Sequence, residues 1–421
     1  MTSWPGNPDL LVIAERGTAK VRLWNVAPEI PPSAGLPGYR PPQPIAPLLD
    51  LSGLADVPPN QNTTPIPPPW TLQFGGLTGF AFHPRFSEGR RYRYVFVRYN
   101  RNLPSQGNPS VDVVIERYAV PAGQQVAIPS TRTVIFEETF YTDSTGGHFS
   151  GGLQFDPITY FANGGTTQDD EVYHLYAPMG DMVFGGSGDC EALSAAWELG
   201  STTVSGQSAV QSEYTGKLLR FEIGPGVLPS GASVPPVVPD VLGRGLRNAY
   251  SFSFDPGDSG GAGRGDLWLA DTGTDQPGEV TRLTAMQLGV AGCTAGGICF
   301  DFGWPWVETR TLVGGAVTNT QGRCWGSPLR PLSITSPADI GEANLALDPS
   351  LGDAVIGAVV YRGAALDQTQ YAGKLFYSTF VNSPTGGPLQ TGSPAVIAGV
   401  PGALRDDTLN VNLSGLSLQS G

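Results

Sequence analysis

Three times along this chain an apolar, alternating run ends in Phe, a polar residue and Pro, turns, and resumes as a second apolar run. The closing tripeptides are FHP at 82–84, FDP at 155–157 and FDP at 254–256; the runs that follow are RYRYVFVRY (91–99), VYHLYAPMGD (172–181) and GDLWLADTG (265–273). Two flanking stretches, DLLVIAERGTAKVRLW (9–24) and AVVYRGAAL with GKLFYSTF (358–380), have the same run–turn–run form without the tripeptide. Period-two alternation rich in Val, Tyr, Phe and Trp reads as strand, and Gly, Asp and Pro at the joints read as tight turns. A unit of this kind cannot bury both of its faces alone, so a chain that repeats it must stack the copies. The expectation is therefore an all-β fold of repeated antiparallel sheets.

A chain of 421 residues would ordinarily divide into two or three domains. Closed β repeats such as propellers escape that arithmetic, because each blade adds a small core of its own, and the reading is one domain over 1–421. With 57 Gly, 39 Pro and 40% hydrophobic residues, the composition supplies many turns and enough apolar surface for packed strands. Segments with helical periodicity are scarce; the clearest is CEALSAAWEL (Cys190–Leu199), predicted as one short helix. The Pro-rich segment 28–69 reads as a surface excursion between strands of an early blade. A formal charge of −13 argues against nucleic acid and anionic membrane surfaces. No apolar run is long enough to span a membrane, and the N-terminal stretch lacks the pattern of a signal peptide. The four cysteines lack zinc-site spacing. One or two disulfides, in any of three pairings, would place the chain in the periplasm or outside the cell.

Candidate chemistry centres on TGGHFSGGLQFDP (145–157), where one of only three histidines sits between glycine pairs. A histidine is the side chain suited to take a hydroxyl proton near neutral pH, and a carboxylate on its other ring nitrogen would fix its tautomer. Of the other two, His83 reads as a strand-turn cap and His174 as part of a packing surface between tyrosines. Asp271 reads as structural, and Trp304 or Trp306 as the wall of a binding cleft.

The ordered series FGGLTGFAFHPRFSEGRRYRYVFVRY (74–99), HFSGGLQFDP (148–157), MGD (179–181), GKLLRFEI (216–223), GLRNAYSFSFDP (245–256), GDLWLADTG (265–273), FGWPWVE (302–308) and VVYRGAAL (359–366) resembles the soluble quinoprotein glucose/sorbosone dehydrogenases. The resemblance implies a six-bladed β-propeller that holds pyrroloquinoline quinone (PQQ) and Ca2+ near its axis and oxidises aldose sugars at C1 to lactones, passing electrons to an external acceptor. By position it makes His148 the catalytic base and Asp181 the residue that orients it. Arg247 and Asn248 would lie against the quinone, with Arg247 stabilising its negative charge and Thr272 beside it. Gly273 and Thr274 would ligate calcium through backbone carbonyls. The glycines around His148 would let backbone approach a flat cofactor.

The sequence departs from the pattern in places. Phe74 and Gly75 stand where many members have Glu or Gln, and Gly147 where a polar residue precedes the base. STFVNSP (378–384) carries no Lys or Arg for the cofactor's carboxylates. The first unit opens on DLLVIAERG without its usual leading strand, and the last stops at VNLSGLSLQSG, an expectation of an open or shortened last blade. Two other classes stay open: a catalytically silent propeller that binds a glycan or protein, and a calcium-dependent lactonase-type hydrolase.

Overall fold

The computed structural model describes residues 2–15, 19–25, 43–51, 76–102, 110–141, 147–158, 160–161, 171–182, 190–199, 202–203, 210–224, 237–273, 279–293, 299–311, 317–336, 344–346, 354–360, 362, 375–380, 396–400 and 403–409. It is nearly all β-sheet. The first sheet holds β1 (Thr2–Trp4), β2 (Asn7–Glu15), β3 (Lys20–Asn25) and β4 (Gln43–Asp50), and the second β5 (Gly76–Phe82), β6 (Tyr94–Asn102), β7 (Ser110–Ala119) and β8 (Ile128–Tyr141). The third is built on β9 (Gln154–Phe155), β11 (Glu171–Pro178), β14 (Lys217–Ile223) and β15 (Asp240–Arg244), extended by β10 (Tyr160–Phe161) and β19 (Phe300–Asp301). The fourth holds β16 (Ala249–Phe254), β17 (Leu267–Asp271), β18 (Glu279–Leu283) and β22 (Asn344–Ala346). The fifth holds β23 (Ala354–Val360), β24 (Leu375–Phe380), β25 (Val396–Val400) and β26 (Ala403–Leu409). Two small hairpins, β12 (Thr202–Thr203) with β13 (Val210–Gln211) and β20 (Val307–Thr311) with β21 (Val317–Gln321), complete the strands.

The repeated tripeptide ends the first strand of three successive sheets. Its second residue donates its backbone N–H to a neighbouring strand or turn: His83 to Tyr94 at 3.1 Å, Asp156 to His174 at 3.2 Å, Asp255 to Asp266 at 2.8 Å. Proline then stops the ladder because it has no N–H to give. The first strands lie side by side in chain order, β5 against β9, β9 against β16 and β16 against β23, with β2 against β5.

The sheets pack face to face in the same order, which is why their strands are apolar on both sides. Val95, Val97 and Tyr99 of β6 pack with Val12, Val21 and Leu49 of the first sheet, whereas Phe96 packs with Leu175, Leu219 and Phe221 of the third. Tyr176 and Leu218 in turn pack with Phe252, Leu267 and Leu269 of the fourth. Each such aliphatic or aromatic side chain contributes about 1.5–3 kcal/mol on leaving water.

Several expectations change at this level. Within the excursion expected over 28–69, Gln43–Asp50 is the outer strand of the first sheet, with Leu48 and Leu49 buried. Pro44 and Pro47 are tolerated because they pair on one side only, opposite Trp24 and Arg22; the flanking residues 28–42 and 52–69 lie outside the described ones. The first unit does have a leading strand, since Thr2–Trp4 pairs with β2. The last unit has four strands, β25 and β26 both pairing after β24. Helix α1 covers only Cys190–Ser194. A second helix, α2 (Ala285–Val290), starts at a capping box between Thr284 and Gln287, a signal present in the sequence as T-x-x-Q.

The cysteines pair as Cys190–Cys324 and Cys293–Cys299. The first clasps α1 to the segment after β21, around a cluster of Leu193, Ala196, Trp197, Trp304 and Trp306. Beneath it the fully buried Lys217 donates through Nζ to the carbonyls of Ala195 (2.9 Å), Ala196 (3.0 Å) and Thr215 (2.6 Å).

Two outcomes are expected. The Cys190–Cys324 bridge spans 134 residues, so C190A/C324A should lower unfolding free energy by about 4 kcal/mol in urea titrations. Burial pushes the Lys217 ammonium from 10.5 down to about 7. Between those values the unfolded chain binds the extra proton, so stability should rise with pH across that window and be lost as pH falls towards 7. The difference in stability between the native chain and K217M, measured at pH 7 and pH 10, should grow in favour of the native chain at the higher pH.

Candidate active site

In an antiparallel meander the entry to the first strand and the exit from the second lie at the same end of the sheet. That rule gathers four segments here: His148–Gly152 before β9, Met179–Met182 after β11, Gly245–Asn248 before β16 and Thr272–Gly273 after β17. The tightest crossing is at Gly180, where a Cβ would lie 1.6 Å from the His148 carbonyl oxygen and 3.1 Å from that of Arg247. The next residue, Asp181, donates its backbone N–H to the Arg247 carbonyl at 2.8 Å. Only glycine allows three main chains to meet there.

Within this crossing the imidazole Nδ1 of His148 lies 2.8 Å from Oδ1 of Asp181, both side chains being buried. An ionised carboxylate only accepts, so Nδ1 carries the proton and Nε2 is left as the basic nitrogen. Three non-glycine residues here have left-handed backbone: His148 (φ 52°), Ser150 (φ 57°) and Met182 (φ 63°). Such conformations cost on the order of 1 kcal/mol or more each and persist only where the surroundings impose them.

The second half of the site is held by Asp271, whose carboxylate accepts the backbone N–H of Arg247 (3.0 Å), Asn248 (2.7 Å) and Thr272 (2.9 Å). Burial raises its carboxyl while those three donors favour the ionised form. Asn248 in turn accepts the Ser150 N–H through Oδ1 at 3.1 Å, tying the turn after His148 to the entry of β16. Arg247 reaches the other way: Nη1 donates to the carbonyls of Thr272 (3.0 Å) and Gly273 (2.9 Å), and the guanidinium lies 5.4 Å from the Trp304 ring. These residues line a small cleft with Asp271, Val307, Glu279 and Glu308. A larger cavity of about 720 Å³ runs along the first strands, lined by Thr78, Phe80, Phe82, Gln154, Tyr250 and others.

The residues singled out in the sequence fall as follows. His148, Asp181, Arg247 and Asn248 come together through the crossing at Gly180. Thr272 and Gly273 adjoin Arg247, but their carbonyls receive its guanidinium. Thr274 lies outside the described residues. Trp304 lines the cleft, whereas Trp306 is fully buried. His83 is the cap of a turn, accepting the Arg85 N–H at Nδ1 at 3.2 Å, and burial lowers its pKa to about 3. His174, lowered to about 4 by burial, sits 3.8 Å from Asp156. The glycines after His148 are crowded by the protein itself: a Cβ at Gly151 would lie 2.4 Å from the Tyr250 carbonyl and one at Gly152 3.0 Å from the Phe252 ring. Glu279 and Glu308 were not singled out as site residues, because each lies in a short strand with other polar residues, EVTRL and VETRT, where alternation does not distinguish them. No protein-family model matches the chain.

G180A should be among the most damaging small substitutions in the protein. The added methyl has to displace the His148 carbonyl, and a loss of about 3 kcal/mol in urea unfolding is expected.

Proposed function

We propose that the chain is a β-propeller oxidoreductase of the quinoprotein sugar dehydrogenase type, which takes a proton from the anomeric hydroxyl and a hydride from C1 of an aldose. The single observation that carries this reading is the buried His148–Asp181 pair at 2.8 Å, joined at Gly180 to the backbone that presents Arg247 and Asn248. Support for the propeller comes from five sheets in chain order, four of them four-stranded and antiparallel and the third a four-stranded antiparallel meander extended by β10 and the parallel β19, packed face to face with β2, β5, β9, β16 and β23 adjacent in turn. The sixth blade of the expected architecture is not identified among the described residues. Two disulfides suit an oxidising compartment, the periplasm or the exterior. Among the described residues no helix is long and apolar enough to cross a membrane.

The site's own atoms bear on which cofactor it would take. Ser150 Oγ, Arg247 Nε and Trp304 Nε1 are buried polar atoms without hydrogen-bond partners, on adjoining parts of the site. With a half-buried guanidinium they fit an anionic, flat, oxygen-rich group such as PQQ, which when bound supplies the hydride acceptor. Calcium fits less well. The Thr272 and Gly273 carbonyls already serve Arg247, and a dication at that seat would meet a guanidinium unless the side chain withdrew; no step is assigned to it. The remaining roles belong to the chain. His148 Nε2 takes the anomeric hydroxyl proton, Asp181 holds the tautomer and stabilises the imidazolium, and Asn248 and Asp271 keep the two halves in register.

One observation favours a silent binding propeller instead: Glu279 and Glu308 line the same cleft and would repel the carboxylates of PQQ. The two readings separate on incubation with PQQ, with and without Ca2+, followed by dye reduction over a panel of aldoses. Turnover should appear, and H148Q should lower kcat by roughly 10²–10⁴-fold while leaving PQQ binding intact. Failure to bind PQQ at micromolar concentration would leave the binding propeller as the better reading.

A further inference from the structure

Beneath the His148–Asp181 pair lies a cation that the chemistry above does not use. Arg98, on β6 of the second sheet, is fully buried, and among the described residues none of its hydrogen-bond partners is a carboxylate. Nη2 donates to the Phe149 carbonyl at 2.7 Å and contacts Met179 Sδ at 3.4 Å. Nη1 donates to the Pro178 carbonyl at 2.7 Å, with longer contacts to the carbonyls of Gly152 (3.4 Å) and Gly151 (3.5 Å). Its side chain leaves the second sheet beside Gly79, the residue paired with it on β5. A Cβ at Gly79 would lie 3.1 Å from Arg98 Cβ and 2.8 Å from Leu153 Cβ, so the missing side chain keeps that passage open.

The two short bonds end on the two segments that carry the pair. Phe149 directly follows His148 and sits between the two left-handed residues His148 and Ser150. Pro178 ends β11, three residues before Asp181. We propose that Arg98 is the positioning residue of this site: by bonding Phe149 and Pro178 with the two arms of one rigid guanidinium, it holds the left-handed turn of His148 against the end of β11 and so sets the imidazole–carboxylate contact. The planar fork matters, because two carbonyls on separate segments need two nitrogens in a fixed relation. Burial lowers the guanidinium to about 9, which leaves it charged at neutral pH. Among the described residues no carboxylate pairs with this charge, and enclosing it so is costly to any fold. Arg98 touches neither substrate nor cofactor and acts only through the pair.

The chain has just three histidines, so imidazole nitrogen NMR can follow His148 without PQQ or substrate. In the native chain His148 should show a single Nδ1–H tautomer. In R98M that signature should give way to a tautomer mixture, while His83 and His174 keep theirs. R98K should recover it only in part, since one ammonium cannot span both carbonyls. If the dehydrogenase reading holds, R98M should also lower kcat by roughly 10- to 100-fold with KM within about threefold. A folded R98M with an unchanged His148 tautomer overturns the proposal, whether or not the protein oxidises sugars. Failure of both R98M and R98K to fold, with H148Q folded, would reduce Arg98 to a structural brace and overturn it as well. An altered tautomer without any aldose turnover in the native chain would keep the positioning role and sink the dehydrogenase reading instead.

Discussion

Three main chains pass one another at Gly180 with no space for a side chain, and the rest of the site hangs on that crossing. The His148 carbonyl, the Gly180 backbone and the Arg247 carbonyl meet there, and the Asp181 N–H closes the contact at 2.8 Å. Once those backbones are that close, His148 and Asp181 have little choice but to meet, and Arg247 and Asn248 are carried to the same place. Left-handed conformations at His148, Ser150 and Met182 are the local cost of the arrangement. The crossing therefore connects backbone geometry directly to the chemistry, since the side chains that matter are placed by segments with no regular ladder of their own.

What keeps those segments in place is a set of polar groups sealed between sheets. Because both faces of most strands are covered, any polar atom there has to find a partner inside the protein. Glu171 is bound by Arg85 and by the hydroxyls of Tyr92 and Tyr173, both at 2.8 Å. Glu116 is bound in the same way by Tyr99 (3.0 Å), Tyr118 (2.6 Å) and Arg132 (2.5 Å). Arg98 and Lys217 instead donate to backbone carbonyls at segment ends. Asp271 is the mirror case, a carboxylate capping the Arg247 and Asn248 N–H groups at the entry to β16 and the Thr272 N–H at the exit of β17. Cations on carbonyls and an anion on amides thus stand in for secondary structure around the site.

Much of the architecture was legible in the sequence because alternation is a local property. The Phe-x-Pro tripeptides mark the ends of β5, β9 and β16, and the LRN and GD elements fall at strand ends. The Pro-rich appearance of 28–69 hid an edge strand, since proline is compatible with pairing on one side, and composition cannot say which side is free. The glycines after His148 were visible, but not their reason: Gly151 and Gly152 yield to the Tyr250 carbonyl and the Phe252 ring, contacts about a hundred residues away in the chain. Arg98 was hidden inside an apolar alternating run, where an arginine looks like an exposed residue until both faces of the strand prove to be covered.

The sequence by itself determined that this chain would be built of short antiparallel strands joined by tight turns, and it marked His148 as a residue worth following. Strand period, turn chemistry and residue type act over a few neighbours, so they can be read along the chain. Only the tertiary structure decided how the His148–Asp181 contact is built at Gly180, that Arg247 turns its guanidinium to the Thr272 and Gly273 carbonyls, and that Arg98 reaches across from another sheet to bond Phe149 and Pro178. Those choices depend on which carbonyls are left without a ladder when the sheets close on one another, a property of packing that no stretch of sequence contains.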